Sequence, residues 1–172
     1  EQIRAILGAP LYGLPQDEPI FKMLQMPTQI FSGFATKNRT VLKIEKGKKA
    51  EIKYMKNAFA KPQKLILVRG KTNKEINDLL VLNAEKIVAV FTNSEIKEKQ
   101  RRIRKSLQTN NNIEKELGLT IKFPSVYRVA KEDNKFFWLR KDIRTGTVNI
   151  LLYELPMGAI SEGEDAISDV IR

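Results

Sequence analysis

The chain has no cysteine and no histidine. Without cysteine there is no disulfide framework and no thiolate metal site. Without histidine the usual general base near neutral pH is missing, as is the commonest zinc or copper ligand. A Ser-His-Asp triad, a Cys-His pair and an H-E-x-x-H zinc site are therefore excluded. No apolar run reaches the ~18 residues of a membrane-spanning helix. No glycine-rich phosphate loop occurs, since Gly47, Gly70 and Gly146 stand alone as turn glycines. Ser125, Ser161 and Ser168 lack a histidine to activate them, and activation of a serine by lysine is set aside for want of the S-x-x-K spacing. No cofactor is expected.

What remains is a chain of 172 residues, 42% hydrophobic and carrying a net charge of +11. That length buries roughly 70% of the unfolded surface, enough for a core without staples. One domain over 1–172 is the default reading. Its two ends read as cut: residues 1–7 look like the second half of an amphipathic helix, and 163–172 like a helix just begun. The expectation is a fragment lacking an N-terminal strand before the first helix and a C-terminal half.

Hydrophobic periodicity orders the rest. Gly8-Ala9-Pro10 stops the first helix. Ile20, Phe21, Met23, Leu24 and Met26 are too apolar for a free loop and are expected against the core, followed by a short helix capped by Thr28. Strands are expected at 40–45, 51–56 and 64–69, with 46–49 as a turn. The unbroken apolar run Leu65–Val68 suits a central strand covered on both faces. Thr72 and Glu75 form a capping box. Ile76, Leu79, Leu80, Ile87, Val90 and Phe91 follow at helical spacing, thinning through Ile96, Ile103 and Leu107. The reading is one long helix from 73 to about 107, then a short helix at 113–117 ended by Gly118. Extended segments at 119–123 and 127–130, a hairpin into 136–140 and a strand at 148–155 complete an α+β fold: an antiparallel-rich sheet with the long helix and shorter helices packed on one face.

The charge is lopsided. Between Lys37 and Lys74 thirteen basic residues face only Glu45 and Glu51, so this window holds the whole excess. The candidate electrostatic face is Lys43, Lys46, Lys48, Lys49, Lys53 and Lys56, suited to anionic lipid headgroups, an acidic glycan or nucleic acid. The plainer reading is a lysine-rich solvent face, which also discourages edge pairing. Nucleic acid fits poorly, because the window has eleven lysines to two arginines and few rings for stacking. A second basic run, from Lys97 to Lys105, suits the C-terminal turns of a helix. Glu162, Glu164 and Asp165 suggest a cation site less well than the acidic start of a helix. Trp138, with Phe136 and Phe137, is either core or a ligand-stacking surface, and aromatic-rich strands usually pack inward.

Four segments together resemble a known family: Leu14-Pro15-Gln16-Asp17-Glu18-Pro19-Ile20-Phe21; Ala60-Lys61-Pro62-Gln63 entering an apolar strand; Phe123-Pro124-x-x-Tyr127; and Phe137-Trp138-Leu139 with Ile150-Leu151-Leu152-Tyr153. In order and spacing they resemble the N-terminal half of the domain of unknown function 4837 family, predicted envelope lipoproteins of Gram-negative bacteria, across nearly all of the chain. The resemblance implies a lipid-anchored, non-catalytic binding or structural module of the cell envelope or periplasm. It supplies no catalytic residues. Partners consistent with that role are anionic lipid, an acidic glycan, another envelope protein, or a second copy through an exposed sheet edge. Nucleic-acid binding through the 37–74 face and a hydrolase using paired carboxylates are the alternatives.

Overall fold

The computed structural model describes residues 1–12, 14 and 16–160. The elements in chain order are α1 (Gln2–Leu7), β1 (Thr40–Lys46), β2 (Glu51–Lys56), β3 (Lys64–Gly70), α2 (Asn73–Leu82), α3 (Ala84–Ile103), α4 (Asn112–Leu117), β4 (Arg128–Asp133), β5 (Phe136–Ile143) and β6 (Gly146–Tyr153). The class is α+β, as the periodicity predicts. The chain divides into two compact units, residues 1–97 and 98–172, each with its own three-stranded sheet. The expected helix at 163–172 and the serines and acids from Ser161 onward lie outside the described residues.

In the first unit the strand order is β1-β3-β2. The strand last in sequence is inserted between the two before it, parallel to β1 and antiparallel to β2. The 46–49 turn therefore does not close a hairpin. It spans two inter-strand gaps, about 10 Å, which the short connector bridges when extended. The apolar run Leu65–Val68 is fully buried and central, as its composition predicts.

The alternation of a strand sorts this sheet into two faces. Leu42, Ile66 and Tyr54 form one cross-strand row, and Ile44, Val68 and Ile52 the next. These rows pack against Leu7 of α1, Ile76 and Leu80 of α2, and Ile87 and Phe91 of α3. Each fully buried aliphatic side chain stabilises by about 1.5–3 kcal/mol.

The Thr72 hydroxyl accepts from the Glu75 amide at 3.1 Å, so the expected cap forms, and the Glu75 carboxylate reaches back one residue further, to the Lys71 amide at 2.6 Å. The expected single helix over 73–107 is two helices. Asn83 turns its side-chain amide back onto the Leu79 carbonyl at 2.8 Å, competing with the backbone ladder and separating α2 from α3. The second helix ends at Ile103 in a tight turn, earlier than the asparagine run suggests. Thr28 is not a cap. It opens a 3-10 turn, Thr28–Ile30, preceded by Pro27, and a second such turn covers Gly33–Lys37.

Gln63, only 2% exposed, closes the loop before β3. Its amide nitrogen donates to the carbonyls of Thr36 and Asn38 at 2.7 and 2.8 Å, and its oxygen accepts from the Phe59 amide at 2.9 Å. The Lys61–Pro62 peptide bond just before it is cis.

The second unit is an antiparallel meander, β4-β5-β6. Two-residue turns at 134–135 and 144–145 fix its register, and Lys135 takes a positive φ in the first. Phe137 and Leu139, both fully buried, meet Ile113 of α4 and Phe123. Gly118 ends α4 at φ +66°, a conformation that favours glycine. The expected strand at 119–123 joins no ladder. A single bridge between Leu107 and Pro124 stands near it, because Pro124 lacks an amide to continue pairing.

Candidate binding surfaces

The face of the first sheet turned away from its helices carries three rows. They are Val41-Leu65-Met55, Lys43-Leu67-Lys53 and Glu45-Arg69-Glu51. The last two rows form one ion-pair lattice. Arg69 Nη1 meets Glu51 at 2.6 Å and Arg69 Nε meets Glu45 at 2.9 Å. Lys43 meets Glu45 at 3.0 Å and Lys53 meets Glu51 at 3.1 Å. The Arg69 stem lies over Gly47, where a Cβ would overlap it, so that turn position has no room for a side chain. Arg69, then Lys43, hold the Glu45 carboxyl below its ordinary range. Lys53 chiefly does the same for Glu51. Both acids are thus kept ionised with a guanidinium between them. This pair has no raised member to act as a proton donor, which a two-carboxylate hydrolase requires.

The six lysines singled out in the sequence are therefore not one surface. Lys43 and Lys53 are committed to the lattice. Lys46 donates to the Asn73 side chain. Lys48, Lys49 and Lys56 are exposed, with no carboxylate partner among the described residues. In the second basic run Arg101 and Arg102 fold back on Glu98, at 2.8 and 2.9 Å, and hold its carboxyl down to about 2. Ser94 and Lys97 do have the S-x-x-K spacing set aside above. Lys97, however, is exposed on α3 and makes no bond to the Ser94 hydroxyl. Ser125 pairs with the Ser106 hydroxyl and meets no base. No group of three or more acids converges as for a metal ion among the described residues.

Sequence reasoning missed a groove of about 840 Å³ along the outer edge of β1. Its floor is Thr40–Ile44, with Phe91 and Glu95 of α3. One wall is the Ile3, Arg4 and Leu7 side of α1, and the other is the segment from Ile20 to Thr28. On its outer side β1 has no ladder partner among the described residues. Phe21 anchors the second wall edge-to-face on Phe91, centroids 6.1 Å apart. Met23 and Leu24, expected against the core, are instead 38% and 78% exposed. The signal for this groove was the apolar run 20–26 itself, which sends Phe21 against the core as expected and leaves Met23 and Leu24 bordering a cleft. Basic groups lead its rim: Arg4, Lys22, Arg39 and Lys43 against Glu1 and Glu95. Arg39 is paired with Glu95.

In the second unit Phe137 points into the core, while Phe136 and Trp138 lie on the opposite face. The expectation that these rings pack inward together is corrected by the two-residue alternation of β5. Phe136 stands opposite Tyr153, centroids 6.4 Å apart, and Trp138 opposite Leu151. Tyr153 and Leu151 are 47% and 53% exposed.

Two family models match the chain. One, described as Domain of unknown function (DUF8532), covers residues 1–104, and the other, Domain of unknown function (DUF4837), covers residues 106–171. The second agrees with the resemblance drawn from the sequence and corrects its extent. It falls on the C-terminal part of the chain, where Phe123–Tyr127 and the 137–139 and 150–153 segments lie, rather than across nearly all of it as an N-terminal half. The segments at 14–21 and 60–63 fall under the first model. No curated protein and no solved structure matches.

Proposed function

Starting from a chain that belongs to the DUF8532 family and carries a DUF4837 match after it, we propose a non-catalytic binding module of the bacterial cell envelope. It is held at a membrane by a lipid anchor and takes an extended polypeptide strand from another envelope protein. One observation carries this reading: the groove of about 840 Å³ runs beside an edge strand that, among the described residues, pairs on one side only. An incoming strand hydrogen-bonds to the free backbone of β1 and places alternate side chains between α1 and the 20–28 wall. Arg4 and Lys22, the rim cations that meet no carboxylate among the described residues, favour an acidic residue in that strand. The resemblance to envelope lipoproteins supports the location.

The test is amide hydrogen exchange across Thr40–Ile44, with and without an eight-residue peptide of alternating valine and glutamate. Slower exchange confined to β1, reversed by Met23→Asp in the wall, is expected. Unchanged exchange at saturating peptide defeats the reading. Fractionation of the intact gene product, with labelling by a radioactive fatty acid, tests the anchor separately.

The exposed Lys48 and Lys49, beside Lys46 on the turn, favour a second contact, with anionic lipid headgroups. Each lysine near such a surface contributes about 1 kcal/mol. Co-sedimentation with anionic vesicles is expected to fall with salt and with Lys48→Glu and Lys49→Glu together. Binding indifferent to both removes this contact.

A further inference from the structure

The outer face of β5-β6 is a row of four cross-strand pairs: Phe136 with Tyr153, Trp138 with Leu151, Arg140 with Asn149, and Asp142 with Thr147. On the β4 side Lys131 stands opposite Trp138, its ammonium 5.7 Å from the centre of the Phe136 ring. On one face successive pairs stand about 6.6 Å apart, so the row offers two ring-bearing positions and then two polar ones. We propose that this face binds a neutral glycan chain, its sugar rings stacked on Trp138 and the Phe136–Tyr153 pair. The site lies apart from the β1 groove in sequence and in chemistry, and does not rest on the strand-binding reading.

Three observations carry it. The Trp138 indole is held in place rather than loose. Trp138 Nε1 donates to Asn149 Oδ1 at 2.9 Å, and Asn149 Nδ2 donates onward to the Thr147 hydroxyl at 3.3 Å. That wiring fixes the indole plane and leaves amide and hydroxyl groups beside it for the hydroxyls of a sugar. A ligand with an apolar ring face and a hydroxylated rim matches this alternation. Next, the Phe136–Tyr153 end opens into a shallow hollow of about 380 Å³, bounded by Lys135, Glu154 and Pro156.

Last, the charge around the rings is already paired. Arg140 meets Asp142 at 2.9 Å and Arg128 meets it at 3.5 Å. Lys131 meets Asp133 at 3.7 Å, and Lys135 meets Glu154 at 2.6 Å. Residues 98–172 hold fourteen basic and eleven acidic residues, a balance of +3 against +11 in residues 37–74. The two cations nearest the rings, Lys131 and Lys135, would have to leave their carboxylates to meet a polyanion, whereas a neutral glycan leaves those pairs intact. That balance selects sugar over nucleic acid on an aromatic platform.

Trp138 is the only tryptophan in the chain, so its emission reports on this face alone. The experiment titrates the whole chain with two neutral β-1,4-linked hexasaccharides, of glucose and of N-acetylglucosamine. A saturable change in emission with at least one of them is expected, unaltered by raising salt to about 0.5 M, where charge attraction is screened. Tyr153→Ala is expected to weaken binding about tenfold, the order of one aromatic stacking contact. Leu151→Thr is a second variant at an exposed position, and melting curves confirm that both fold. The proposal is overturned by no saturable change with either sugar. It is equally overturned by a change produced only by a polyanion and abolished by salt, or by emission that follows protein concentration alone, which would mean a second copy covers the face.

Discussion

The two sheets finish their outer faces in opposite ways. Two of the three rows on the outer face of the first unit's sheet carry charge, Lys43 and Lys53 beside Glu45, Arg69 and Glu51. The sheet of the second unit presents rings and amides. The contrast runs against composition. The region that holds the whole positive excess neutralises most of its sheet face internally, so net charge over a window is a poor guide to where a cationic surface lies. The second unit, where fourteen basic residues stand against eleven acidic ones, instead leaves Leu151 and Tyr153 about half exposed on its sheet face.

The sharpest way to test the contrast is to cut beneath each face. Phe137→Ala removes a fully buried ring under the aromatic face. It is expected to cost about 3–5 kcal/mol in urea unfolding. In the first unit Gln63→Leu orphans the Thr36 and Asn38 carbonyls and the Phe59 amide. A loss of about 2–3 kcal/mol is expected, read in the same way. Thr72→Ala removes the cap of α2 and is expected to cost about 1 kcal/mol, with Thr72→Ser restoring most of it.

Smaller effects separate the faces themselves. Glu45 and Glu51 have lowered carboxyls, so each ionises more readily folded than unfolded. Their contribution is complete above the ordinary value of 4.5 and is lost as pH falls through the lowered one. Arg69→Gln lets both rise, and the midpoint of acid unfolding is expected to move to higher pH, more so at low salt. Leu151→Thr on the other face is expected to change stability by less than about 0.5 kcal/mol and to leave the acid midpoint where it was. A salt-sensitive Leu151→Thr, or an acid-indifferent Arg69→Gln, breaks the comparison.

Much of the fold was legible because it is local. The cap at Thr72 and the stop at Gly118 are each set by a few adjacent residues. Composition does not mark the break at Asn83, since an asparagine within a periodic stripe is usually tolerated. What decides it is a side chain returning to the Leu79 carbonyl. The order β1-β3-β2 is a matter of long-range pairing, which periodicity cannot see. The candidate sites were harder still. The lysines were easy to count, but their partners Glu45, Glu51 and Arg69 align only once the register is known. The alternation separating Phe137 from Phe136 and Trp138 was present in the sequence, and reading the three as one aromatic cluster hid it.

The insertion of β3 also bears on synthesis. A chain emerging from the ribosome exposes Thr40–Lys46 and Glu51–Lys56 before the strand that joins them exists. Among the described residues neither has a neighbour in the finished ladder other than Lys64–Gly70. Any product ending before residue 70 therefore carries two solitary ribbons with apolar sides, a ready substrate for chaperones or for stray pairing with another nascent chain.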